Sequence, residues 1–147
     1  MRALVLALSF ALFGSACGGA LANRFNVRIE GDRVAFDQHI NFAFDSAEIL
    51  DDSAELLDAI AAVLREHEEI ATVRVDGHTD STGDDDHNME LSERRAASVV
   101  AALRERGVEQ QLASRGLGET APLCTDESEA CHARNRRVEL VIVARNR

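Results

Sequence analysis

The chain has 147 residues, with 16 basic against 26 acidic side chains, a formal charge of −10 and one proline, which describes a single folded domain and excludes collagen-like, low-complexity and general nucleic-acid-binding chains. Every basic residue is arginine, so a P-loop lysine, a Schiff-base lysine and a Ser/Lys catalytic pair are all ruled out. There is no Trp or Tyr, which removes an aromatic platform for sugars or bases and leaves charge and hydrogen bonds to read any ligand.

The chain opens with an address. Met1 and Arg2 precede an apolar run from Ala3 to Phe13, interrupted only by Ser9. That is the h-region of an export signal, too short to span a bilayer, which takes about 20 apolar residues. Two exits follow. Ala20-Leu21-Ala22 is an A-x-A site for cleavage before Asn23, and Gly14-Ser15-Ala16-Cys17 resembles a lipobox whose Cys17 becomes a lipidated N-terminus. The leader therefore occupies residues 1–22 at most, with residues 23–37 as a hairpin or linker and residues 38–145 as the domain. An exported chain meets an oxidising compartment, where Cys124 and Cys131 are expected to form a disulfide. A zinc site there would need more ligands than His132 nearby supplies.

Val27 with Ile29 and Val34 with Phe36, separated by Glu30-Gly31-Asp32, predict a hairpin. Ile40, Phe42 and Phe44 alternate with polar or small residues and predict a strand. Asp52 with Glu55 suggests a capping box, and Leu56, Leu57, Ile60, Val63 and Leu64 continue at helical spacing to about Glu66. Ala71, Val73 and Val75 predict a strand, followed by a polar loop from Gly77 to Gly83, with Asp84 to Asp86 at its acidic tip. A second helix is expected from Asn88 or Ser92 to Arg106, with Gly107 left-handed beyond it. Its apolar stripe is Ala96, Val99, Val100 and Leu103; Arg94 points away from it, while Arg95 falls at its border. Strands at Leu112–Ser114 and Val138–Val143 complete a β-α-β-α-β-β order after the hairpin, an α+β two-layer sandwich with two main helices on one face of a mixed sheet.

The run GHTDSTGDDDHNMELSERRAASVVAALRERGV, then GLGETAP, then ARNRRVELVI, resembles the C-terminal peptidoglycan-binding domain of the OmpA family, shared by peptidoglycan-associated lipoproteins and flagellar stator proteins of the MotB type. The pattern G-H-x-D, N-x-x-L-S-x-x-R-A, G-x-G-E-x-x-P and N-R-R-V-E occurs here in order. The resemblance implies non-covalent binding of a diaminopimelate-type peptide stem, with Asp80 taking the ammonium and Arg95 the carboxylate. Thr79, Asn88, Leu91 and Arg137 occupy the matching contact or support positions. It also implies a chain on the periplasmic face of the outer membrane, tethering it to the cell wall, with no cofactor and no catalysis. The chemistry fits on its own terms, because one carboxylate and one planar guanidinium complement a zwitterionic side-chain terminus. If Ser92 were the N-cap, Arg95 would also sit in the positive first turn of the helix.

Other readings of the same residues compete. Asp80 alone reads as a turn aspartate, Arg95 as a helix residue laying its stem along the sheet, and Arg134, Arg136 and Arg137 as a solvated turn in which Arg136 pairs with nearby acids. The fold could also dock a protein partner in the envelope. A metal-dependent hydrolase finds little support: an EF-hand loop from Asp76 would have His78 and Ser81 at the wrong places, and His67-Glu68-Glu69 lacks its second histidine, with Ala71 there instead. Charge is uneven, with sixteen acidic residues from Asp45 to Glu93 against Arg65 and Arg74, and five arginines from Arg134 to Arg147 against Glu139.

Overall fold

The computed structural model describes residues 17–147; the apolar run expected to be an export signal and the residues before Cys17 in the expected lipobox lie outside the described residues, as does the side chain of Cys17. Helix α1 covers Cys17–Arg24, β1 Arg28–Glu30, β2 Arg33–Ala35, α2 Ala54–Glu66, β3 Ile70–Gly77, α3 Asp85–Glu105, β4 Gln111–Gly116, α4 Glu129–Asn135 and β5 Val138–Arg145. The strands form one mixed sheet in the order β1-β2-β5-β3-β4, with β3 and β4 parallel and the other neighbours antiparallel. This is the expected α+β two-layer sandwich.

Alternation along the strands explains the layering. Val34, Val73, Val75, Leu112, Leu140 and Ile142 are buried together with Leu56, Ile60, Leu64, Val99 and Leu103 of α2 and α3. Arg33, Arg74, Asp76, Arg115 and Glu139 occupy the intervening positions, and their ion pairs run across the opposite face. The hairpin of β1 and β2 belongs to this sheet through the pairing of β2 with β5. Helix α2 buries Ala59, Ala61 and Ala62 as well as its leucine stripe, because α1 lies against it, with Leu21 and Ala22 packed on the core.

Four local expectations are corrected. Residues 40–44 form no strand: the chain turns back on itself, Ala43 N–H bonding Glu48 O at 2.9 Å and Leu50 N–H bonding Asn41 O at 2.9 Å, with a single bridge between Phe42 and Ile49. Asp45 makes this turn with φ +47°, and Phe44 ends up 99% exposed. The capping box at Asp52 does not form. Helix α2 starts at Ala54 after a 3-10 turn at Asp51–Ser53, and the would-be capping side chains hold the 41–50 segment instead: Asn41 Nδ2 donates to Asp52 at 3.0 Å and Asn41 N–H to Ser53 Oγ at 2.8 Å.

Helix α3 begins at Asp85, earlier than Asn88 or Ser92, because Asp84 caps it by accepting His87 N–H at 2.9 Å, and Asp85 and Asp86 favour the positive helix start. Asp84 to Asp86 are thus a cap and first turn, not a loop tip, and Arg95 lies several turns along the helix, away from its N-terminus. The C-terminal end agrees with expectation, Gly107 having φ +76°. Finally, the loop between β4 and β5 contains α4, capped by Ser128 accepting Cys131 N–H at 3.1 Å.

Candidate functional site

The loop after β3 is stitched on both sides. His78 N–H bonds Arg137 O at the start of β5, while Thr79 N–H bonds Gly118 O and Leu117 N–H bonds Gly77 O beyond β4, each at 2.9 Å. Helix α3 is pressed onto this junction. A Cβ at Gly77 would stand 2.2 Å from Ser92 O, so only glycine fits. Ser92, fully buried in mid-helix, accepts Gly118 N–H at 2.9 Å and donates to Met89 O at 2.8 Å. The G-H-x-D loop, α3 and the G-x-G-E loop are therefore one rigid corner, and a cavity of about 810 Å³ opens between this corner, the 41–50 segment and the start of β5.

Asp80, Thr79, Asn88, Leu91, Arg95 and Arg137 all line that cavity, so the structure brings together every binding residue expected from sequence. Their surroundings differ. Asp80, 8% exposed, closes a turn by accepting Thr82 N–H at 2.9 Å and the Thr82 hydroxyl on Oδ1, and it takes Arg136 Nη1 on Oδ2 at 2.8 Å. Burial alone would raise its carboxyl, but the Thr82 and Arg136 hydrogen bonds outweigh this and hold it below the usual carboxylate value. A carboxylate has about four acceptor positions, so with three filled Asp80 retains room for one more donor.

Arg95 reaches the cleft from the middle of α3. Its Nε donates to Ser46 O at 2.8 Å and its guanidinium lies 5.1 Å from the centre of the Phe42 ring. Among the described residues it forms no ion pair, and burial pushes it below the usual arginine value, while Asp45 and Asp80 pull it back up. A half-buried cation without a carboxylate partner is an unmet demand for an anion.

Asn88 is a brace: its Nδ2 donates to Thr82 O at 3.0 Å and, more weakly, to Asp80 O and Glu119. Leu91 is a buried apolar wall. Thr79 is buried with its hydroxyl lacking a partner. Arg137 is fully engaged, donating to Glu139 at 2.7 Å, Ala121 O at 3.1 Å and Asn135 O at 3.3 Å.

Sequence reasoning puts Arg136 among nearby acids without specifying Asp80, and it misses the 41–50 segment as a wall of the cleft. The signal for Arg136 lies in its neighbour. Buried Asn135 ties α4 to the preceding loop, accepting Leu123 N–H at 2.8 Å and donating to Cys124 O at 3.0 Å, and so sets the direction of the residue that follows it. The disulfide Cys124–Cys131 closes the same loop, with the Cα atoms 5.8 Å apart. Asp126 lies beside these sulfurs, but both are spent on each other and offer no thiolate to a metal.

The OmpA family model matches residues 41–136. The chain is 38% identical over 120 residues to the probable lipoprotein YiaD of Escherichia coli, covering 80% of this chain and 54% of that one. It is 38% identical over 104 residues to the peptidoglycan-associated lipoprotein of Legionella pneumophila, covering 70% and 58%. The chain thus spans little more than half the length of these curated relatives. The crystal structure of the peptidoglycan-associated lipoprotein of Burkholderia pseudomallei superimposes with a TM-score of 0.63 at 33% identity, covering 71% of this chain and 89% of that one. With the motif-bearing corner inside the matched residues, the chain belongs to the OmpA family.

Proposed function

We propose that this chain binds peptidoglycan non-covalently, taking the zwitterionic end of a diamino acid in the peptide stem between Asp80 and Arg95. The observation that carries the reading is the half-buried Arg95 guanidinium, without an ion-pair partner among the described residues, in the same cavity as a carboxylate with one free acceptor position. The ligand carboxylate supplies the missing anion for Arg95, and its ammonium donates to Asp80. Leu91 and Phe44 offer apolar contact to the methylene chain between the two charges. Two relatives are named as lipoproteins, one of them for its association with peptidoglycan, which supports the same assignment. The role is binding, not catalysis.

The reading extends to a tether on the periplasmic face of the outer membrane, with lipid on Cys17. Packing supports this exit over cleavage after Ala22. Leu21 and Ala22 sit on the core, and their carbonyls accept Phe25 N–H at 3.2 Å and Val27 N–H at 2.9 Å. Cleavage after Ala22 would strip these residues from the fold, whereas cleavage before Cys17 keeps them. The mass of the mature N-terminus tests this, a free Asn23 refuting the anchor. Co-sedimentation with isolated sacculi tests the site: wild type should pellet and be released by free diaminopimelate, and equal recovery of Asp80→Ala and Arg95→Ala would contradict it.

A further inference from the structure

His87 lies outside every motif that identifies the family, yet it touches the far wall of the cleft. Its Nε2 is 2.6 Å from Asp45 Oδ1, a contact between residues 42 positions apart in sequence. The His87 backbone is fixed at the start of α3 by its bond to Asp84, so the imidazole reaches out from the rigid corner. Asp45 sits at the tip of the 41–50 turn with φ +47°, a left-handed conformation in which aspartate is enriched among non-glycine residues. The next residue, Ser46, supplies the carbonyl that holds Arg95 Nε. We infer that His87 is a positioning residue for Arg95: it clasps Asp45, the clasp fixes the Ser46 carbonyl, and that carbonyl leaves the two terminal nitrogens of the guanidinium free to fork onto a carboxylate.

The inference rests on reading Arg95 as the anion-binding residue. The hydrogen bond from His87 is the main cause holding the Asp45 carboxyl below the usual range, against its partial desolvation. The clasp is therefore a bond to an ionised acceptor, stronger than one between neutral groups.

The chain from Cys17 onward, carrying Cys17→Ser, is titrated with free diaminopimelate at neutral pH, as wild type, His87→Gln and His87→Ala. His87→Gln, whose amide can still donate to Asp45, is expected to bind like wild type, and His87→Ala about fivefold more weakly. In parallel, without ligand, the Arg95 Nε–H resonance should be resolved and protected from exchange in wild type and His87→Gln, and averaged in His87→Ala. A His87→Gln that binds no better than His87→Ala, or an Arg95 resonance unchanged in His87→Ala, overturns the inference. If neither wild type nor a variant binds diaminopimelate, the peptidoglycan reading fails, and the ligand-free resonance alone decides the clasp.

Discussion

Two carboxylates on the same strand and its following loop, Asp76 and Asp80, are buried to 3% and 8% exposure and both are held below the usual carboxylate value. In both, burial pushes the other way and hydrogen bonds prevail, from arginines at Asp76 and from Thr82 and then Arg136 at Asp80. Asp76 nevertheless receives four guanidinium bonds, from Arg74 at 2.6 and 2.9 Å and from Arg115 at 3.1 and 2.9 Å, which saturate it. Asp80 has one arginine bond, and the arginine facing its cleft, Arg95, has no carboxylate partner among the described residues. A lowered carboxyl value therefore does not separate an acid saturated within the sheet from one proposed to take a ligand. Unfilled hydrogen-bonding capacity does.

The sharpest break in this comparison is Asp76→Ala, which leaves two arginines facing each other across the sheet. Because both are partly exposed, the loss is expected at about 2–4 kcal/mol of stability, read by urea unfolding, with diaminopimelate affinity of the folded fraction unchanged. Next comes Cys124→Ser with Cys131→Ser. An eight-residue loop closure contributes about 2.5 kcal/mol in the chain-entropy model, and the loosened α4 should weaken Arg136 on Asp80 while leaving Asp76 untouched; reduced affinity accompanying the lowered stability would show it.

Arg95→Ala reverses the pattern and Asp80→Ala mixes the two: affinity falls by about 1.5–3 kcal/mol for each in calorimetric titration, with little change in Tm for Arg95→Ala and a lowered Tm for Asp80→Ala, whose carboxylate also holds Thr82 and Arg136. Acid pH gives the smallest effects. Desolvation is the leading cause that lowers the basicity of His78, so its folded state favours neutral imidazole; the stability this confers is present above the unfolded value of about 6.5 and is lost as pH falls below it. The two aspartates follow the same sign lower down, their contribution vanishing below about pH 4. A Tm profile of His78→Gln lacking the first step, with the second retained, checks the assignment.

The elements with strong periodicity are legible in the amino-acid pattern alone. The leucine stripe of α2, the alternation of β3, the stripe of α3 and Gly107 after it all fall where the pattern puts them. Residues 40–44 show why alternation is weaker evidence: Ile40 and Phe42 face the core as in a strand, but the chain reverses at Asp45 and no neighbouring strand receives it. The start of α3 is obscured because Asp84 to His87 are all polar, so the cap carries a signal that hydrophobic spacing does not measure. In the site, the motif residues are legible and their partners are not. Arg136 on Asp80 and His87 on Asp45 span 56 and 42 positions, and nothing local in the chain records such pairings.

The glycine-lined seat of α3 has a thermodynamic consequence. Added Cβ atoms at Gly77 and Gly116 would come within 2.2 and 2.6 Å of the α3 backbone, so this side of the cleft has no freedom to surrender when a ligand arrives. For the proposed ligand, the ordering entropy of binding falls instead on the ten residues from Asn41 to Leu50, held by a few hydrogen bonds and one bridge. Affinity would then be tuned by stiffening a short turn, without rebuilding Asp80 or Arg95.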